Sequence, residues 1–123
     1  MSHPGVVILY VANPTASTAF YAQLLDREPV ESSPNFAMFA LDSGIMLGLW
    51  SMHAVEPKAT MTGGGGELAF SLGNDAEVDA WHERCREQRM MIELSPKRMD
   101  FGYTFVAADP DGHRLRVFAP SES

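Results

Sequence analysis

The sequence has little of what marks several protein classes. It contains one cysteine, Cys85, so an internal disulfide is excluded. Its apolar runs are far too short to span a bilayer, and no apolar stretch near its start resembles a signal peptide. Nine lysines and arginines stand against sixteen aspartates and glutamates, for a net charge of −7. A chain this acidic is a poor partner for nucleic acid or anionic membranes, so we expect a cytoplasmic protein that binds neither.

Patterns typical of catalysis or metal binding are also scarce. No two of the four histidines have the i, i+4 spacing of a metal-binding pair. Cys85 lies on a predicted helix beside the core-facing Trp81, which favours an inert thiol. The four glycines at 63–66 precede a predicted strand, whereas phosphate-binding loops precede a helix. We therefore interpret them as a flexible hinge.

The apolar periodicity predicts one α+β domain over residues 1–123. In its first half we predict a strand at 6–11, a helix at 16–25 capped by Asn13 or Thr15, and hairpin strands at 36–41 and 45–50. In its second half we predict a strand at 67–72, a helix at 76–88 capped at Asn74-Asp75, a short strand at 90–94, a loop at 95–102 and a closing hairpin of 103–107 with 115–118.

The two halves resemble each other. A shift of about sixty residues places Leu9 on Phe70, Asn13 on Asn74 and Phe20 on Trp81, and the order of elements is the same twice. We therefore predict a tandem repeat. Module one covers about 5–55, a linker about 56–66 and module two about 67–120.

The last predicted strand has two different faces. A turn rich in Asp, Pro and Gly leads into it, and Arg114, Arg116 and Phe118 then alternate with Leu115 and Val117. The leucine and valine face can pack on a core. The face with two cations and a ring can line a pocket.

Two motifs at opposite ends of the chain carry a resemblance. They are Asn13-Pro14…Ser17…Phe20-Tyr21…Leu24-Leu25 and Asp109-Pro110-Asp111-Gly112…Arg116-Val117. With them the chain resembles the vicinal oxygen chelate superfamily of glyoxalases, extradiol dioxygenases and bleomycin-resistance proteins over nearly its whole length. The resemblance implies paired βαβββ modules that form curled mixed sheets around a cup-shaped cavity, usually in a homodimer.

The resemblance also implies where metal-dependent members place their four ligands. By position these places are Val6, Gly48, Glu67 and Arg116. Valine and glycine offer no side-chain ligand, and an arginine repels a divalent ion. The chain therefore resembles a metal-free member of the superfamily. We expect it to have no metal ion, no cofactor and no catalytic residues.

Within the superfamily the chain is most similar to phenazine-resistance binding proteins, through Leu9-Tyr10-Val11, Leu49-Trp50-Ser51 and Glu67. This likeness implies a protein that sequesters a small planar aromatic compound, for example an antibiotic such as a phenazine. It further implies a homodimer with sites at the subunit interface. The residues that we expect to bind ligand are Trp50, Arg116, Glu67, Tyr10, Phe101, Tyr103 and Met46.

Several alternatives stay open at this point. Trp50 either stacks on a ligand or is a rim or core aromatic, and Glu67 and Arg116 either orient a ligand or form a structural ion pair. The rival function is a glyoxalase-family lyase or dioxygenase. It would be metal-dependent through Glu67 with His53 or His113, or would use Glu67 as a general base. A third possibility is an accessory domain without a ligand.

Overall fold

The computed structural model describes residues 2–121, and the chain divides into two compact units between Gly63 and Gly64. Unit 1 contains β1 (Val6–Val11), α1 (Pro14–Leu25), β2 (Glu31–Ser32), β3 (Phe36–Ala40) and β4 (Met46–Ser51). Unit 2 contains β5 (Glu67–Ser71), α2 (Asp75–Glu87), β6 (Met91–Met99), β7 (Gly102–Ala108) and β8 (Arg114–Pro120). The order βαβββ therefore occurs twice.

Each unit forms a mixed four-stranded sheet. The strand order is β1-β4-β3-β2 in unit 1 and β5-β8-β7-β6 in unit 2. In both units the first strand pairs with the last in parallel, and the other pairs are antiparallel. The prediction of an α+β fold with two repeated modules is confirmed.

The two helices begin in the same way. The side-chain oxygen of Asn13 accepts a hydrogen bond from the backbone N–H of Ala16 at 3.2 Å, and that of Asn74 accepts one from Glu77 at 2.9 Å. Each asparagine thereby satisfies an N–H that the helix leaves free at its start. Of the two caps proposed for the first helix, Asn13 is the observed one.

One face of each sheet packs on the helix of its own unit. Along β1, β3, β5 and β8 every second residue is the more buried one, as the period of a strand requires. The largest fully buried side chains are Tyr21, Phe39, Leu47, Leu49, Phe105 and Leu115. Within residues 2–121, no helix is long and apolar enough to cross a membrane.

Two sequence predictions about the strands were wrong. Residues 95–102 were expected to form a loop, but β6 continues to Met99. Pro96 is accommodated because the pairing with β7 shifts register between Leu94 and Lys97, where a strand tolerates a residue without an N–H. The two-residue strand β2 was not predicted, since a polar Glu-Ser pair carries no alternation.

Candidate functional site

Unit 1 presents an apolar sheet face that α1 does not cover. The pairing register places three residues each of β1, β4 and β3 side by side on this face, in a three-by-three array. We call this array the apolar face; its rows are Tyr10–Trp50–Phe36, Ile8–Gly48–Met38 and Val6–Met46–Ala40. None of the nine residues is charged, so the face offers a continuous apolar surface.

The apolar face is accessible in part. Val6 and Ile8 are each 43% exposed and Tyr10 is 36% exposed, whereas Trp50 and Phe36 are half-buried. Exposed apolar side chains that adjoin one another, as these do, are typical of a binding or interaction surface. The structure thus brings three predicted ligand-binding residues, Tyr10, Met46 and Trp50, onto one surface.

One row of this face consists of three aromatic rings. Trp50 pairs in register with Tyr10 on one side and Phe36 on the other. The rings of Phe36 and Trp50 lie edge to face, with centroids 6.0 Å apart and an interplanar angle of 87°. Such a contact holds the indole in place, because the edge of one ring is attracted to the face of the other.

Unit 2 has a polar group on the sheet face that points away from α2. The Nε atom of Arg116 donates to Oε1 of Glu67 at 2.5 Å, and Nη2 donates to Oε2 at 3.3 Å. Nη1 donates to the hydroxyl of Thr104 at 3.3 Å, and that hydroxyl donates to the carbonyl of Val117 at 2.9 Å. The guanidinium is therefore bonded on all three nitrogens.

Two rings border this ion pair. The Arg116 guanidinium carbon lies 5.7 Å from the centroid of the Phe101 ring, and Phe101 packs edge to face on Phe118 at 5.7 Å. The side chains of Arg116 and Glu67 are 19% and 32% exposed. The pair is therefore partly desolvated yet open enough for a ligand atom to reach it. Phe101, Glu67 and Arg116 form one cluster, in which the pairing of the last two is the one that the family resemblance suggested.

The glycine run lies beside this cluster. Gly64, Gly65 and Gly66 line a cavity of about 420 Å³ together with Glu67, Gly112 and Arg114. Because glycines add no side chains, the carboxylate side of the pair stays open to small molecules. Arg114 also reaches across the sheet, with its Nε atom 3.3 Å from a carboxylate oxygen of Glu93.

Tyr103 lies on the other side of the sheet, which corrects its expected place near the ligand. Its hydroxyl donates to Oδ1 of Asp79 on α2 at 2.7 Å, and Arg98 lies over its ring. The bond to the Asp79 carboxylate raises the pKa of the Tyr103 phenol. Tyr103 therefore ties α2 to the sheet, and the contacts that it makes give no support to a ligand-binding role.

The four positions that the family resemblance assigns to metal ligands are equivalent in pairs. In unit 1, Gly48 pairs with Ile8, which lies two residues after Val6. In unit 2, Arg116 pairs with Ala69, which lies two residues after Glu67. The register thus supports the alignment of Gly48. Val6 offers a hydrocarbon and Gly48 offers no side chain. Glu67 offers a carboxylate, but that carboxylate is bonded to the Arg116 guanidinium. This set of groups does not fit a divalent ion.

Another acidic group lies in the turn before β8. The side chains of Asp109, Asp111 and His113 each offer an atom that could bind a metal ion, and these atoms lie within 4.8 Å of one another. Oδ1 of Asp109 accepts hydrogen bonds from the backbone N–H groups of Asp111 and His113, both at 2.9 Å, and Oδ2 lies 2.6 Å from Nδ1 of His113. The Asp109 carboxylate is thereby used in fixing the turn, as expected for an Asp-Pro-Asp-Gly sequence.

Sequence reasoning missed several residues of these surfaces. Phe36 and Met38 were not named as ligand-binding residues, and Thr104 received no role. Phe118 was placed on the face of the last strand that can line a pocket, but not among the ligand-binding residues. A signal was present for the first two, since strand alternation puts Phe36, Met38 and Ala40 on one face. Thr104 could not be found in this way, because its role depends on lying opposite Phe118 in the β7–β8 register.

The comparisons with known proteins agree with this fold. The sequence model of the glyoxalase/bleomycin resistance protein/dioxygenase superfamily matches residues 3–117. The phenazine antibiotic resistance protein EhpR of Enterobacter agglomerans is 31% identical over 118 residues, which are 93% of this chain and 89% of that protein.

Solved structures show the same architecture. A solution NMR structure of a protein from Agrobacterium tumefaciens is 56% identical, covers 99% of this chain and 100% of that one, and superposes with a TM-score of 0.89. A glyoxalase-related enzyme from Fulvimarina pelagi is 22% identical, covers 97% of this chain and 88% of that one, and has a TM-score of 0.85. The chain belongs to the glyoxalase/bleomycin resistance protein/dioxygenase superfamily.

Proposed function

We propose that this protein binds and sequesters small planar aromatic compounds, for example an antibiotic such as a phenazine, without a metal ion. The observation that carries the proposal is the apolar face, nine uncharged positions with a row of three rings. Flat apolar compounds lose their hydration on such a surface and stack on its rings. The likeness to a phenazine antibiotic resistance protein supports the ligand class.

Within this proposal Trp50 is the main stacking residue. It lies in the middle of the aromatic row, and its ring already packs edge to face with that of Phe36. A ring fixed before binding loses little entropy when the ligand arrives, so more of the contact energy appears as affinity. Met46 and Tyr10 add adaptable and aromatic contacts on the same face.

The test compares two tryptophan variants. Trp50→Ala should raise the Kd for phenazine by about tenfold or more, because a stacked pair adds roughly 1 kcal/mol to the energy of area burial. Trp81→Phe is the matched control, since Trp81 belongs to α2 and packs on Phe70 and under Arg84. Equilibrium dialysis gives both values. Equal affinity of the parent and Trp50→Ala would refute the stacking role.

We further propose that Arg116 with Glu67 recognises a polar group of the ligand. A carboxylate of a ligand can take one of the guanidinium N–H groups if Glu67 yields it. The double variant Glu67→Gln/Arg116→Met should therefore weaken binding of a phenazine carboxylate while leaving plain phenazine unchanged. Equal losses for both compounds would assign the pair a structural role only.

The enzymatic alternative rests on Glu67 as a general base. Both of its oxygens accept bonds from Arg116, so the carboxylate would have to leave the pair before taking a proton. Turnover of a superfamily substrate that disappears in Glu67→Gln would establish this alternative. Retained binding of phenazine without any change in the compound favours sequestration.

The assembly is also part of the proposal. Proteins of this superfamily commonly form dimers, and we propose a homodimer here, in the cytoplasm. Light scattering on the purified protein should give twice the 13.5 kDa of one chain. A monomeric mass that is unchanged at high concentration would contradict the dimer and leave the ligand proposal to its own test.

A further inference from the structure

The centre of the apolar face has no side chain. Gly48 is the middle residue of the three-by-three array, with Ile8 opposite it on β1 and Met38 opposite it on β3. The other eight positions all carry side chains. Position 48 is therefore the one place in the array from which no side chain projects.

The backbone does not require this glycine. Gly48 is not among the residues with positive φ, and it is paired on both sides in regular register. A glycine inside a strand costs about 0.5–1 kcal/mol relative to alanine and usually marks the close approach of another group. The reason for the glycine must therefore lie in what its missing side chain leaves room for.

The Phe36 ring occupies that room. A Cβ atom at Gly48 would lie 3.3 Å from Cε1 and Cζ of Phe36 and 3.4 Å from Cγ1 of Ile8. The phenyl ring thus reaches over the glycine on β4 and also packs edge to face with the indole of Trp50. A Cβ at position 48 would make the Phe36 ring give way by a few tenths of an ångström, and a larger side chain would displace it further.

We propose that Gly48 is a specificity-determining residue of the apolar face, because it keeps the centre of the face flat enough for ligands with two or three fused rings. The array extends about 13 Å along the strands and about 10 Å across them, from the usual spacings of a sheet. A three-ring compound covers most of such an area. A side chain at its centre leaves only the flanks, where a single ring still fits. This inference rests on the proposed function.

The test uses ligands of increasing size and substitutions of increasing size. Pyrazine, quinoxaline and phenazine have one, two and three fused rings, and their Kd values are measured by NMR titration. Gly48→Val should raise the Kd for phenazine by at least about tenfold while changing that for pyrazine by less than about twofold. Valine suits a strand, so the fold is expected to persist, and urea unfolding checks it. Gly5→Ala is the control, since nothing lies within 4 Å of its added Cβ.

A second measurement follows the Phe36 ring itself. In the parent protein, through-space NMR contacts should join the ring protons of Phe36 and Trp50, and Gly48→Ala should shift both sets of signals. Unchanged signals would overturn the positioning argument. Equal loss of all three ligands in Gly48→Val, or no loss, would overturn the specificity role alone. If the parent binds none of the three compounds, the proposed function fails and this inference fails with it.

Discussion

The ion pair between Glu67 and Arg116 allows a quantitative prediction about stability. The two side chains share two hydrogen bonds and are 32% and 19% exposed, so the pair is neither a surface pair nor fully buried. Surface pairs contribute about 0–1 kcal/mol, whereas breaking a buried pair costs about 3–5 kcal/mol. We expect each single change, Glu67→Gln or Arg116→Met, to lower the free energy of unfolding by about 1–2 kcal/mol.

Removing both charges should be much less harmful. The double variant Glu67→Gln/Arg116→Met leaves no unpaired charge and keeps nearly the same volume, so its free energy of unfolding should lie within about 0.5 kcal/mol of the parent. The difference between the double change and the sum of the single changes is the coupling energy of the pair. We predict a coupling energy of about 2–4 kcal/mol, the sum of the two single losses less the small loss in the double variant.

Urea unfolding at constant pH and salt measures all four proteins. A second cycle on Glu83 and Arg86 of α2 is the control, because that pair is 3.5 Å apart with side chains 59% and 61% exposed. Its coupling energy should stay below about 0.5 kcal/mol. A coupling energy for Glu67 and Arg116 no larger than that of the control would refute the reasoning from partial burial.

Two further predictions concern the core and the turns. Gly102→Ala should destabilise the protein by at least about 3 kcal/mol in urea unfolding. The reason is that φ of Gly102 is +153° and an added Cβ would lie 2.0 Å from the carbonyl oxygen of Ala119. Gly66→Ala is the control, because an added Cβ there meets nothing within 4 Å, and an equally small effect of both changes would contradict the prediction. Burial raises the pKa of the Cys85 thiol, and the nearby Arg84 charge offsets this in part. At high pH the thiol therefore loses its proton more readily in the unfolded chain than in the folded one. The free energy of unfolding should stay constant below about pH 9 and fall at higher pH. This decline should be smaller in Cys85→Ala, and a native thiol that reacts with a disulfide reagent as fast as in urea would show that Cys85 is not protected.

Local patterns were sufficient for most of the fold. β1 was predicted with its observed bounds because six β-branched, aromatic and aliphatic residues precede an Asn-Pro stop. The repeat was visible because both helices follow an asparagine cap after the first strand of their unit. These features depend on neighbours within a few positions, which a sequence displays directly.

The site was harder to predict because it depends on register and on one glycine. Phe101 and Tyr103 were grouped together, yet Phe101 lies by Arg116 and Tyr103 by Asp79. The backbone of Gly102 between them has a φ of +153°, which breaks the alternation assumed for a regular strand. The pairing of Glu67 with Arg116 joins residues 49 positions apart, and only the family resemblance suggested it.

The central claim is that this protein binds a planar aromatic compound without a metal ion. The most direct measurement is a calorimetric titration of metal-stripped protein with phenazine in the presence of EDTA, repeated after zinc, nickel, manganese or iron(II) is added. The account predicts saturable binding in EDTA, with the same affinity when a metal is present. Binding that requires an added metal, or no binding under either condition, would contradict it.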